Sequence, residues 1–159
     1  TRNDYNKVVQ KFQDHGIMIF GTFVFGYDFD TTEVFDKTLD FAINSKMFIA
    51  QFNPLMPMPG TALYDKLKEE NRLIYDKWWL DPEYKWGHSM YKPKTMTPED
   101  LEEGCYRIRS KFNKYTSILR RAMTRKNNSK NFEHLLWYLI GNFATKKEIH
   151  RKMGRVLGT

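Results

Sequence analysis

Asp28, Asp30, Glu33 and Asp36 fall directly after a run of apolar residues that ends at Phe25. Clustered carboxylates are the groups that general acid–base catalysis uses. At the mouth of a helix they have a simpler use, as a cap and as negative charge against the helix dipole. Asp30 with Glu33 three residues on fits an N-cap and its N3 partner, so capping is the simpler account. His15, His88, His134 and His150 stand far apart, and neither His-Glu-x-x-His nor Cys-x-x-Cys occurs. Cys105 is the one cysteine. It lies on the apolar stripe of a predicted helix, where a thiol packs as a small hydrophobe. A cluster or zinc site needs about three or four ligands, which one cysteine does not supply. There is no Gly-x-Ser-x-Gly elbow and no Gly-x-x-x-x-Gly-Lys phosphate loop, and Gly21 and Gly26 do not form a dinucleotide fingerprint. No catalytic and no metal-binding residue is assigned in this chain.

Two other stretches could shape a ligand pocket. One is Phe23-Val24-Phe25-Gly26-Tyr27-Asp28 and the other runs from Asn53 to Gly60, with prolines at 54, 57 and 59. Both follow segments that read as strands. In parallel α/β folds ligands bind at the carboxyl ends of strands. A glycine there admits close backbone approach, and prolines preset a loop.

The elements that must position these ends follow from periodicity. Residues 4–14 predict an amphipathic helix stopped by Gly16. The apolar runs IMIFGTFVF and MFIAQF predict strands buried on both faces of a parallel sheet. Between them a helix to about Ser45 turns Val34, Phe35, Leu39, Ala42 and Ile43 inward. Strand, helix, strand is the right-handed β-α-β unit. Thr61 can cap a helix that stops near Asn71. Residues 72–97 lack periodicity but hold Trp78, Trp79, Trp86, Tyr75, Tyr84 and Tyr91. They read as an irregular segment pinned by aromatic packing, with a ligand-stacking surface as the sharper alternative. Thr97-Pro98-Glu99-Asp100 is a helix start, and the stripe Leu101, Cys105, Ile108, Phe112, Tyr115, Leu119 predicts one helix to about Thr124. Phe132–Ile140 predicts a short buried helix ended by Gly141. Thr145 with Glu148 predicts the opening of a last helix.

The chain has 159 residues, of which 41% are hydrophobic and 16% aromatic, enough for a packed core. No run approaches ~18 apolar residues, so no membrane-spanning helix is expected. No charged-then-apolar leader opens the sequence, and a single cysteine fits a reducing compartment, so a cytoplasmic location is expected. The first residue is Thr1, which suggests a piece of something longer or a processed product. The net charge of +7 is uneven. Residues 1–75 hold eight basic and ten acidic side chains, whereas from Arg107 onward there are fourteen basic and two acidic. This divides the chain into residues 1–75 and a basic, mainly helical part, 76–159. Basic clusters can bind nucleic-acid phosphates or an anionic membrane surface. A solvated helical face is the default, and nucleic acid is not the expected partner.

The segments GTFVFGYDFDTTEVFDKTLDFA and FNPLMPMPGTALYDKLKEENRLI together resemble the last part of the catalytic barrel of radical S-adenosylmethionine enzymes. They resemble most the group that carries a cobalamin-binding-type domain and is described as Fe-S oxidoreductases. MYKPKTMTPEDLEEGCYRIRSKFNKYTSILRR is similar to the helical C-terminal extension of that group. The resemblance covers most of residues 3–125. It implies an α/β fold: the last two β-α units of a partial TIM-type barrel, then a mainly α-helical extension. It also implies an enzyme that cleaves S-adenosylmethionine at a [4Fe–4S] cluster to give a 5′-deoxyadenosyl radical, with cobalamin as a further possible cofactor. The cluster motif is absent here, so the isolated piece is expected to be inactive and the rest of the same polypeptide to be its partner. Val24 and Gly26 match the fifth-strand motif that contacts the adenine, and Thr22 stands where the family pattern has glycine. Leu55 to Gly60 match the pattern bordering the same pocket. The implied cofactor-binding residues are Phe23, Val24, Gly26, Leu55 and Pro57. The small-molecule substrate is left open. The alternative is a non-catalytic module whose basic helices hold nucleic acid or a partner protein, and a purely structural interaction domain is a third reading. Two parallel strands are marginal alone, so the isolated piece is expected to self-associate through its exposed strands.

Overall fold

The computed structural model describes residues 2–123, 127–152 and 154–155. The elements run α1 (Arg2–Asp14), β1 (Phe20–Phe25), α2 (Glu33–Asn44), β2 (Ile49–Pro54), α3 (Ala62–Glu69), α4 (Pro98–Phe112), α5 (Tyr115–Ala122) and α6 (Phe132–Lys152). β1 and β2 pair in parallel, with Phe20 opposite Ile49 and Phe25 opposite Pro54. The fold is therefore mixed α/β, with a small two-stranded parallel sheet crossed over by α2.

Strand alternation sends Phe23, Phe25, Ala50 and Phe52 to one face. There they meet Phe35, Leu39 and Ala42 of α2 and Leu101, Cys105, Ile108 and Phe112 of α4. The rings interlock: Phe23 stacks on Phe52 at 5.4 Å between centroids, and Phe25 meets Phe35 at 5.1 Å. Each buried phenylalanine contributes about 1.5–3 kcal/mol. α2 and α4 approach closely enough that a Cβ on Gly104 would lie 2.5 Å from Phe35 Cζ. The opposite face differs from the expectation of burial on both sides, since Phe20, Thr22, Val24 and Gln51 are exposed. The helices α2 and α4 cover the Phe23/Phe52 face, whereas on the opposite face α6 reaches only the β2 side, at Ile49, and leaves Phe20, Thr22 and Val24 of β1 open.

The helix starts follow their caps. Thr61 Oγ1 accepts from the Tyr64 amide at 3.3 Å, and Thr97 and Asp100 form a reciprocal capping box with Pro98 in the first turn. The single helix expected from Thr97 to Thr124 is instead two, and Thr124 lies outside the described residues. Buried Asn113 donates its side-chain amide to the Arg109 carbonyl at 2.9 Å, ending α4. Lys114 is extended and α5 sets off in a new direction. Leu101 to Phe112 stay in the core as the stripe predicts, but Tyr115 and Leu119 are 62% and 58% exposed.

The expected short helix ending at Gly141 and the separate helix from Thr145 are one element, α6. Gly141 is not a stop. It lets the helix approach β2, where a Cβ would lie 2.6 Å from Phe48 Cζ. The Thr145 hydroxyl donates to the Gly141 carbonyl at 2.8 Å within the same helix, so it opens nothing. Tyr138, Asn142 and Ile149 face inward, while Leu136, Trp137 and Ile140, expected in the core, are about half exposed. Arg121 is wholly buried and ties α5 to β2 and α6 through the carbonyls of Met47 and Phe48 and the Asn142 side chain. No helix among the described residues is long and apolar enough to cross a membrane.

Candidate functional site

The carboxyl end of β1 is closed by a buried clasp. Gly26 takes φ +101°, a conformation that favours glycine. Its amide and that of Tyr27 both donate to Asp30 Oδ2, at 3.0 and 3.1 Å. The Tyr91 hydroxyl donates to the Gly26 carbonyl, and the Thr95 hydroxyl to the Asp30 carbonyl. Asp30 thus holds the strand-end loop and does not cap α2. The N-cap position belongs to Thr32, which makes no side-chain cap bond.

The other carboxylates have cationic partners. Asp28 lies 2.9 Å from Arg72, 3.2 Å from Lys66 and 3.3 Å from Lys94. Desolvation raises the Asp28 pKa, but hydrogen bonds from these three groups outweigh it and hold the carboxyl down at about 2. Asp36 meets Arg107 at 2.7 Å, and Glu33 meets Lys37 at 2.6 Å. No two of these acids face each other as an acid–base pair would. Because the folded pKa of Asp28 is below its ordinary 3.8, its stabilisation is present above that pH and is lost as pH falls toward about 2. Asp28→Asn is expected to lower the melting temperature near neutral pH. The gap to wild type should close across that acid window in a thermal-melt series.

Leu55 donates its amide to the Phe25 carbonyl at 2.8 Å, joining the two strand ends, and packs half-buried against the core. Pro57 is buried, and its carbonyl accepts from Trp78 Nε1 at 3.0 Å. Of the five residues implied for cofactor contact, Val24 presents its side chain on the open sheet face, opposite Asn53 in the register. The Phe23 ring lies on the covered face against Phe52, so only its backbone is open to a ligand from the other side. Gly26, Leu55 and Pro57 line up at the strand ends, with their polar backbone atoms engaged as described.

The sequence offers a ligand-stacking surface over residues 72–97 only as the alternative and does not place it; the structure sets Trp78, Tyr84 and Trp86 around a recess of about 440 Å³ at the carboxyl end of β2. Its floor is Gln51, Asn53 and Pro54, its aromatic wall Trp78, Tyr84 and Trp86, and its far side α6 at Glu148. Arg109 reaches in from α4. Its Nη2 donates to the Phe52 carbonyl at 2.6 Å, and its guanidinium sits 5.0 Å from the centre of the Trp86 ring. Burial depresses the Arg109 pKa and raises the Tyr84 phenol to about 12. The aromatic density of residues 78–86 was the available signal. Arg109 and Glu148 gave none, because their approach to β2 depends on how α4 and α6 pack. The recess is mostly apolar with a few polar groups, the usual make-up of a small-molecule site.

Cys105 is buried in the core, and desolvation raises its thiol to about 12, far from the thiolate a metal needs. Among the described residues no three His, Cys, Asp or Glu side chains converge as metal ligands. The residues present do not fit an iron–sulfur cluster.

Comparison with known proteins gives a consistent set of relatives. Over 119 residues, 74% of this chain, it is 31% identical to the bacteriochlorophyllide d C-12(1)-methyltransferase of Chlorobaculum tepidum. Over 74 residues it is 28% identical to the C-8(2)-methyltransferase of the same organism, and over 68 residues 31% identical to the hopanoid C-2 methylase of Rhodopseudomonas palustris. These segments cover 46% and 43% of this chain. The matches span 25%, 16% and 13% of the three relatives' lengths. No known family's sequence model matches the chain, and no solved structure matches it. The chain is thus a low-identity relative of methyltransferases, which supports the relation to radical S-adenosylmethionine enzymes.

Proposed function

We propose that this chain is part of a radical S-adenosylmethionine methyltransferase, with residues 1–75 ending the catalytic barrel and 76–159 forming its helical extension. The observation that carries the reading is the likeness over 74% of the chain to an enzyme named for methyl transfer. The small sheet supports it: both outer edges of β1 and β2 lack a paired strand among the described residues, where further barrel strands would add, and Thr22 and Val24 of β1 are exposed where a cofactor would lie. In this reading the adenine rests against Val24 and the backbone at Gly26, bordered by Leu55 and Pro57. The cluster ligands lie elsewhere in the whole protein, as would any cobalamin. The bound cluster and S-adenosylmethionine supply the radical chemistry. This chain's residues hold one side of the pocket and exclude water from it.

The recess beside Arg109 takes part of the substrate. Its aromatic wall suits a large, mostly apolar ring system, and the relatives' names specify a bacteriochlorophyllide and a hopanoid, both polycyclic. Until the remaining strands cover them, β1 and β2 each present an unpaired edge. In isolation the chain self-associates through these edges.

The test is made on the full-length protein, reconstituted anaerobically with iron and sulfide, reduced, and given S-adenosylmethionine. 5′-Deoxyadenosine should form. Val24→Asp places a charge on the open face without touching the core and should weaken S-adenosylmethionine binding about tenfold or more, or ~1.4 kcal/mol. A properly loaded cluster that gives no 5′-deoxyadenosine, with candidate substrates present, would overturn the reading.

A further inference from the structure

α6 leaves an apolar row about half exposed or more: Phe132, Leu136, Trp137, Ile140 and Phe143 are 80%, 45%, 56%, 48% and 46% exposed. A second row lies beside it on α5, where Tyr115, Leu119 and Met123 are each more than half exposed. The rows run antiparallel. Tyr115 meets Phe143 at 6.2 Å between rings, and the Tyr138 hydroxyl bonds the Ile118 carbonyl at 2.7 Å. Together they form a two-helix plate rather than a groove. Cations border it: Lys114 before Tyr115, Lys146 at 4.4 Å from the Tyr115 ring centre, and exposed Lys147 and Arg151 one and two turns beyond Phe143. Glu133 is the acid on that face.

We propose that this plate docks on an anionic lipid surface, the apolar rows entering the acyl boundary and the cations meeting headgroup phosphates. Contiguous apolar patches of this kind mark interaction sites, and aromatic and aliphatic residues beside Lys and Arg are the make-up of interfacial helices. The charge selects the occupant. Two copies meeting through this face would bring their cations together, which disfavours self-pairing. A nucleic acid gives the aliphatic rows nothing to bury them. Each cation near an anionic bilayer adds about fivefold to binding.

Co-flotation of the full-length protein with phosphatidylcholine vesicles, with and without phosphatidylglycerol, tests this. Binding should require the anionic lipid and weaken with salt. Leu136→Ser/Trp137→Ser/Ile140→Ser, which alters exposed side chains, should reduce binding about tenfold or more. Lys147→Glu/Arg151→Glu should reduce it as well, with folding checked by circular dichroism. Failure to float with either vesicle would overturn the proposal. So would a vesicle-free dimer that the triple serine variant abolishes, or plate amides protected from exchange in the full-length protein without vesicles. The first would assign the face to a second copy and the other to another part of the chain. Flotation needs no turnover, so its failure is distinct from failure to form 5′-deoxyadenosine.

Discussion

Arg121→Met is expected to cost about 4 kcal/mol, close to the whole margin of an ordinary domain. The side chain is 0% exposed. Its guanidinium donates to the carbonyls of Met47, Phe48 and Phe112 at 2.8, 2.9 and 3.0 Å, and to Asn142 Oδ1 at 2.9 Å. The Phe112 ring lies 3.6 Å from its Cζ. Burial pulls its pKa down to about 10, which still leaves it charged at neutral pH. Methionine fills much of the volume but removes the donor from three buried acceptors, Met47 O, Phe112 O and Asn142 Oδ1, while Phe48 O keeps the Asn142 amide at 3.1 Å; each unsatisfied group costs about 1–3 kcal/mol. Arg121→Lys should recover a minor part, since one ammonium cannot reach acceptors on α4, α6 and the start of β2 together. The neighbouring Arg120 is exposed and bonds Asn44 at 2.9 Å. Its replacement by Met should stay within about 0.5 kcal/mol. Urea denaturation of the three variants followed by tryptophan fluorescence separates the cases. Equal midpoints for the Arg120 and Arg121 variants would refute the assignment.

Gly26→Ala is expected to cost about 3 kcal/mol. The positive φ alone costs roughly 1–2 kcal/mol for a residue with a Cβ. That Cβ would overlap the Tyr91 hydroxyl and stand 2.9 Å from Leu101 Cδ2, an overpacking of about 1–3 kcal/mol. The clasp of Asp30, Tyr91 and Thr95 should open with it. Tyr91→Phe keeps the ring and removes only the hydroxyl, so it should lose about 1 kcal/mol. If Gly26→Ala melted with wild type, the glycine would be serving a ligand rather than the protein's own packing.

Much of the helical frame was legible because caps are local chemistry. Thr61, Thr97 with Asp100, and Pro98 act at the positions their types announce. The strands and their carboxyl ends were legible from two apolar runs bounded by glycine and proline. The break at Asn113 was not, because the 3.6-residue stripe continues through it and only a buried side-chain bond ends the helix. Gly141 misled for the opposite reason: a residue that usually stops helices serves here as a point of contact with Phe48. The basic charge of the second half read as a solvated face, yet Arg109 and Arg121 point inward and are held by carbonyl oxygens, a partner that no side-chain pattern reveals. Val24 and Gly26 stand at the carboxyl end of β1, where the apolar run predicts the strand to end. The recess needed the packing of α4 and α6 on β2.

The irregular segment between α3 and α4 touches both strand ends, through Tyr91 on Gly26 and Trp78 on Pro57. The chain therefore carries its own optical gauge. A shift of Pro57 would break the Trp78 hydrogen bond, and a ligand that drew Arg109 away would strip the cation from Trp86. Either event would change the polarity around one of the chain's four indoles, so ligand entry at this end of the sheet is expected to shift the emission wavelength, a shift that Trp78→Phe and Trp86→Phe together should remove.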